Sequence, residues 1–335
     1  MKKIYKGAAL SFILAFLLLV SLLIAVGIGA VSIPVGDIFD ILFRGIQSPD
    51  STILLDIRMP RVLLAGLIGA GLAAVGTVMQ GIFKNPLVDS YTLGMSAGAA
   101  LGAVISIVGG IGAGVFGLAA TGVFAFIGSI STLLFVYGLA YKGNRSSSNT
   151  LLLAGVAVSY FLASLISFMM MLNHNKIQHI VFWTMGSIGT ATWSKVVFGA
   201  VTIMPGIILL LFFSRELNIM TMGEEAAQHL GVHTARVKAM MLVIGSIIVG
   251  GVVSTGGTIG FVGLIAPHIV RFIAGSDNRR VIPNAALLGA ILVIISDTIG
   301  RTIIQPAEIP VGVMTSIMGG PFFIYLLRKQ KSRSM

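Results

Sequence analysis

Three arginines could do recognition chemistry: Arg58, Arg61 and Arg301. A guanidinium offers a planar fork of donors that matches a carboxylate through two parallel hydrogen bonds. Arg58 and Arg61 stand three apart in R-M-P-R, so on a helix they share a face. Arg301 follows Asp297 by four residues, which makes a local ion pair the expected arrangement there. A second group is Gly223-Glu224-Glu225-Ala226-Ala227-Gln228-His229-Leu230-Gly231. Its two glutamates suit the positive start of a short helix, and Gly231 suits the stop. Ala226, Ala227 and Leu230 are spaced as one small apolar face. Such a helix either docks into a groove on another protein or is an ordinary capped surface helix. A third group, Asn85-Pro86-Leu87, reads as a helix stop and turn.

Bond-making chemistry finds no foothold. The sequence has no GxxxxGK[ST], HExxH or GxSxG. There is no cysteine, which excludes disulfides and thiolate metal sites. His174 and His179 have no carboxylate close by in sequence, so neither a metal site nor a cofactor is expected.

The elements that must carry these groups are membrane helices. Of the 335 residues, 56% are hydrophobic and 10% charged, and mean hydropathy is +1.01. A soluble domain needs roughly 25% charged residues. The net charge of +11 could suggest nucleic acid, but the charges sit in short clusters between long apolar runs, as in membrane topologies. The run from Gly7 to Gly36 holds no charge and is too long for a signal-peptide core of about 7–15 residues, so a retained first helix is expected. Apolar segments fall near 7–33, 61–81, 92–108, 115–141, 149–172, 196–214, 238–255, 258–272, 281–300 and 308–327. The glycine cluster Gly109, Gly110, Gly112 and Gly114 divides the third from the fourth.

With the N-terminus inside, alternation leaves six basic residues outside: Arg44, Arg58, Arg61, Lys176, Lys195 and Arg301. The inside set includes Lys84, Lys142, Arg145, Arg215, Lys238, Arg271 and the basic termini. Lys238 and Arg271 both belong inside, so the chain between them crosses an even number of times. Two full helices need about 40 residues, more than are available. One full helix, a break at Ser254-Thr255-Gly256-Gly257 and one short returning helix satisfy the count. A kinked loop that never crosses is the alternative. Asp297 is the one acid read as lying within a span, which speaks against an ion relay.

Seven stretches, in order, resemble the iron-siderophore, haem and vitamin B12 (FecCD-type) family of ABC importer permeases. They are R-M-P-R (58–61), Q-G-I-F-K-N-P-L (80–87), L-G-M-S-A-G-A (93–99), W-T-M-G-S (183–187) with Trp193, G-F-V-G-L-I-A-P-H-I-V-R (260–271), D-T-I-G-R (297–301) and E-I-P-V-G-V-M-T-S-I-M-G-G-P-F-F (308–323). The segment G-E-E-A-A-x-x-L-G-V resembles the family's ATPase-coupling helix. The resemblance implies one all-α transmembrane permease domain over 1–335, with about ten helices in the type II importer fold. It implies a second permease, identical or paralogous, two cytosolic ATPases and an extracytoplasmic binding protein. It also implies a bacterial cytoplasmic membrane, and the bias of positive charge supports both termini lying in the cytoplasm. Arg58, Arg61 and Arg301 then resemble a docking set for the binding protein, with snorkelling at helix ends as the other reading. Asn85, Pro86 and Leu87 fall near the cytoplasmic gate. An ion-coupled secondary transporter is the rival function.

Overall fold

The computed structural model describes residues 2–29, 31, 33–46, 49–112, 119–140, 148–304 and 306–331. Lys142, Arg145, Gly114 and Arg333 lie outside these. Among the described residues the chain is helices and turns only. In order they are α1 (Lys2–Gly27), α2 (Val35–Arg44), α3 (Pro49–Thr52), a π-helical stretch (Ile53–Arg58), α4 (Met59–Phe83), α5 (Met95–Gly109), α6 (Ala120–Ala140), α7 (Ser148–Leu172), α8 (Ile177–Thr184), α9 (Trp193–Phe212), α10 (Ser214–Thr221), α11 (Glu224–His229), α12 (Thr234–Gly256), α13 (Val262–Ala274), α14 (Asn278–Gly300) and α15 (Val311–Lys331). Seven stretches are long and apolar enough to cross a membrane, and Met95–Gly109, Val262–Ala274 and Val311–Ile324 are shorter apolar helices. These ten coincide with the ten expected segments. The amphipathic α2 and the short α8 and α10 fall between them.

Small residues set the centre of the bundle. A Cβ on Gly69 of α4 would lie 2.1 Å from the Gly289 carbonyl oxygen of α14, so the two backbones touch there. In an apolar solvent such close approach replaces the hydrophobic drive that holds soluble helices together. α4 is buried on nearly every side, whereas α1 lines the rim and exposes Phe12, Phe16, Leu19 and Leu23.

The even-crossing argument is met with one correction. The helix does not break at Ser254. Ser254 and Thr255 stay in α12 because their hydroxyls donate back to the Gly251 carbonyl, and the break spans Gly257–Phe261. Gly257, at φ +71°, ends the helix, and a Cβ there would meet the Trp183 carbonyl oxygen at 2.6 Å. α13 then has 13 residues, about 20 Å, against a hydrocarbon core of about 30 Å. Its far end returns to the end where α12 began, since Asn278, four residues past α13, bonds to Asn218 of α10. The open backbone is covered by protein: Thr258 donates from its hydroxyl to the Thr184 carbonyl, and the Gly312 N–H donates to Gly186 at 3.3 Å.

Candidate functional site

One end of the bundle gathers the three arginines. α1 stops at Gly27, leaving its last carbonyls without helical partners. Arg58 caps them, donating from Nη1 to Val26 O (2.9 Å) and Gly27 O (3.0 Å), and from Nη2 to Val31 O. Arg301 donates from Nη2 to Ala25 O. Arg61 meets Asp297 fork to fork, with Nε–Oδ2 and Nη2–Oδ1 both at 2.9 Å, and its Nη1 reaches Glu308 at 3.0 Å. The local Asp297–Arg301 ion pair expected from spacing is therefore not formed; the Asp297 carboxylate turns to Arg61, 236 positions away in sequence. Arg58, Arg61 and Arg301 are 5–8% exposed, so none presents a free fork to solvent. The Glu308 side chain, 48% exposed, is the member of this network that faces outward. Arg301 keeps one buried donor, Nε, without an acceptor among the described residues.

The opposite end holds Gly223–Gly231. Gly223 (φ +142°) and Gly231 (φ +83°) bracket α11, which is six residues long. Its faces differ from the expected ones. Ala227 is fully buried against the chain's own core and cannot share an outward face with Ala226 and Leu230. The exposed apolar residues here are Ala226 on α11 and Met222 and Leu230 just beyond its two ends. Glu224 is fastened inward: Lys238 of α12, 1% exposed, donates from Nζ to Glu224 Oε1 at 2.5 Å and to Ser148 Oγ of α7 at 3.1 Å. Glu225 is exposed. Asn218 joins α10 to the start of α14 through Asp277 (2.7 Å) and Asn278 (2.8 Å). Charge counting alone made Lys238 a topology marker, and its role as a pin was missed.

Between the two ends lie two cavities. Lys84 closes α4 at φ +49°, and the Asn85 side chain accepts the Leu87 N–H at 2.9 Å, so Asn85-Pro86-Leu87 is a tight turn with Leu87 exposed. The turn lies at the α11 end, since Gly81 packs on Leu217 of α10. The chain continues to Asp89, whose Oδ1 accepts the Tyr91 N–H at 2.9 Å and the Thr92 hydroxyl at 3.2 Å. Asp89, Tyr91, Thr184 and Thr258 line two cavities in common, of about 710 and 520 Å³. The first continues along Phe261, Ser316 and Ile317, the second along Ser159, Tyr160 and Ile166. Both flank the Gly257–Phe261 break. Sequence reading passed over Asp89 and Tyr91 because they fall in a loop; only the fold brings that loop against Thr258.

The sequence model of the FecCD transport family matches residues 17–329. The chain belongs to this family. It is 39% identical over 332 residues to the uncharacterized ABC transporter permease protein YvrB of Bacillus subtilis, covering 96% of this chain and 94% of that one. It is 37% identical over 330 residues to the hemin transport system permease protein HmuU of Yersinia pestis, covering 96% of each. A solved inward-facing ABC transporter assigned to the metal-chelate type superposes with a TM-score of 0.86 at 31% identity, over 96% of this chain and 99% of that one. The protein is thus a multi-pass membrane permease subunit of an ABC importer, a transport component rather than an enzyme. Its fold is that of the type II importer permeases.

Proposed function

We propose that this permease carries a metal chelate, of the iron-siderophore, haem or cobalamin kind, into the cytoplasm by alternating access. The reading rests on one observation above the others. α12, about 35 Å long, joins the buried Lys238 that holds α11 to the Gly257–Phe261 break that lines both cavities. A push on α11 therefore has a rigid route to the cavities. On this reading the α11 end is cytoplasmic, as are both termini, and the membrane is the bacterial cytoplasmic membrane. Two cytosolic ATPases grip Gly223–Gly231 through Met222, Ala226 and Leu230. A second permease, identical or paralogous, closes a passage, and Asn85, Pro86 and Leu87 form its cytoplasmic gate.

The arginine end then meets the extracytoplasmic binding protein. Buried as they are, Arg58, Arg61 and Arg301 act on it in a particular way. They tie α1, α4 and α14 together, and a carboxylate of the binding protein takes the place of Glu308 on Arg61. The deciding experiment reconstitutes the permease with its ATPase and binding protein in proteoliposomes. Chelate uptake should require ATP and the binding protein. Uptake driven by a proton or sodium gradient without ATP would overturn the proposal.

A further inference from the structure

The helix α2 exposes a large apolar sector. This ten-residue helix is divided lengthwise into three sectors. Ile38 and Ile41 are buried and pack with Leu54. Val35, Phe39, Leu42 and Phe43 are exposed, by 70, 53, 39 and 74%, and the two phenylalanine rings stack at 4.6 Å. Asp37, Asp40 and Arg44 carry the charge, with Arg44 bonded to Asp40 at 2.9 Å. At 100° per residue, the exposed apolar sector centres about 150° from the charged one, and the buried pair lies between them. A helix lying flat on a bilayer beside a protein has this cross-section: protein on one flank, acyl chains below, water above.

Its position agrees. Ile38 packs against Gly27, where α1 ends, so α2 sits at the level where a lipid-exposed span runs out. Ile24 and Ile28 at the α1 end are exposed as well. The half-exposed Trp193 donates its indole N–H to Leu55 O at 3.0 Å, one residue beyond the Leu54 on which α2 packs. An aromatic ring with one polar edge is the usual marker of the membrane–water boundary. We propose that α2 lies in the membrane interface at the arginine end, with Val35, Phe39, Leu42 and Phe43 in the acyl boundary and Asp37, Asp40 and Arg44 in the aqueous layer. Its three charges sum to −1, so attraction to anionic lipid contributes nothing. Apolar burial alone holds it, and it needs no particular headgroup. Through Ile38 and Leu54 it fixes the depth of the segment that carries Arg58.

The protein has no cysteine, so single labels can be placed without removing any. Nitroxides at Val35→Cys, Phe43→Cys, Asp37→Cys and Asp40→Cys would be read in the full-length protein in phosphatidylcholine vesicles. Collision with dissolved oxygen reports lipid, and collision with a water-soluble nickel chelate reports solvent. Positions 35 and 43 should favour oxygen over nickel several-fold more than positions 37 and 40. Replacing a third of the lipid with phosphatidylglycerol should leave the pattern unchanged. Val35→Cys keeps both rings and covers the case in which loss of Phe43 disturbs the helix. Equal nickel access at all four positions would overturn the proposal, as would positions 35 and 43 shielded from both reagents, which would mark a protein contact.

Discussion

At each end of the protein a buried cation holds a half-exposed carboxylate, and the two pairs differ in what stands behind them. At the arginine end, Arg61 holds Glu308 but also has Asp297, itself 3% exposed, in a two-point grip. At the α11 end, Lys238 holds Glu224 with, among the described residues, only the Ser148 hydroxyl in reserve. Glu308 can leave without stranding Arg61, whereas Glu224 cannot leave without stranding Lys238. On the proposed function, the first pair suits exchange and the second suits transmission. An uncompensated buried charge is among the most costly defects a protein can carry, whereas an exposed ion pair contributes about 0–1 kcal/mol.

The largest effect should follow Glu224→Ala. It leaves the Lys238 ammonium buried with one hydroxyl, a loss of about 3–5 kcal/mol for a broken buried pair, and somewhat less here because Glu224 is 43% exposed on its side chain. Thermal unfolding of the purified permease should show a clear drop. No drop would mean that water already serves Lys238. Lys238→Met sharpens the contrast. It removes the buried charge and lets Glu224 return to solvent, so stability should change by less than about 1.5 kcal/mol, the range of a volume-conserving apolar exchange. ATP hydrolysis should nevertheless lose its dependence on the binding protein, because α11 is no longer fastened to α7 and α12. Lys238→Arg should restore that dependence. A fully coupled Lys238→Met would sink the transmission reading.

The next effect is narrower. Met222→Ser with Leu230→Ser alters only exposed side chains, so unfolding should move by within about 0.5 kcal/mol. Co-purification of the ATPase should fall sharply. Unchanged co-purification would remove these residues from the interface. A charge at Ala227, the obvious choice from spacing alone, would test only the core.

Local sequence reports what local physics decides. Ten apolar stretches, the short α13 and the turn at Asn85 were legible because length, charge sign and proline act where they stand. The partner of Asp297 was not, since the i,i+4 rule names Arg301 and says nothing of a residue 236 positions away. Ala227 was misread for a related reason. Six helical residues carry too little periodicity to tell which face the rest of the chain covers. Asp89 and Tyr91 line the two cavities beside the break at Gly257–Phe261, which begins three residues later than glycine and hydroxyl content suggested. The helix tolerated Ser254 and Thr255 because each found a carbonyl in the turn behind it.

A small effect on stability and the sharpest on recognition should come from Glu308→Gln. Charge reversal at Arg61 is the poorer test, since it would set an acid against Asp297 in the buried grip and fail by unfolding. Glu308→Gln keeps the shape and leaves Arg61 held by Asp297, so unfolding should shift by less than about 1 kcal/mol. It also loosens the hold on the outward donor of Arg61, Nη1, because a neutral amide oxygen accepts more weakly than a carboxylate, and it raises the net charge of the cluster by one. If a carboxylate of the binding protein takes that donor, it competes with a neutral amide and not with another carboxylate, and affinity should rise. A gain of about 1 kcal/mol corresponds to roughly fivefold in Kd. The gain should shrink as salt is raised, because the rim of such a contact is screened over about 8–10 Å at physiological ionic strength. The measurement is binding of the purified partner to the reconstituted transporter at low and high salt. A fall in affinity would make Glu308 itself a docking contact and reverse the sign of the interface. No change at either salt would leave the arginine end as a clasp on α1 with no part in recognition.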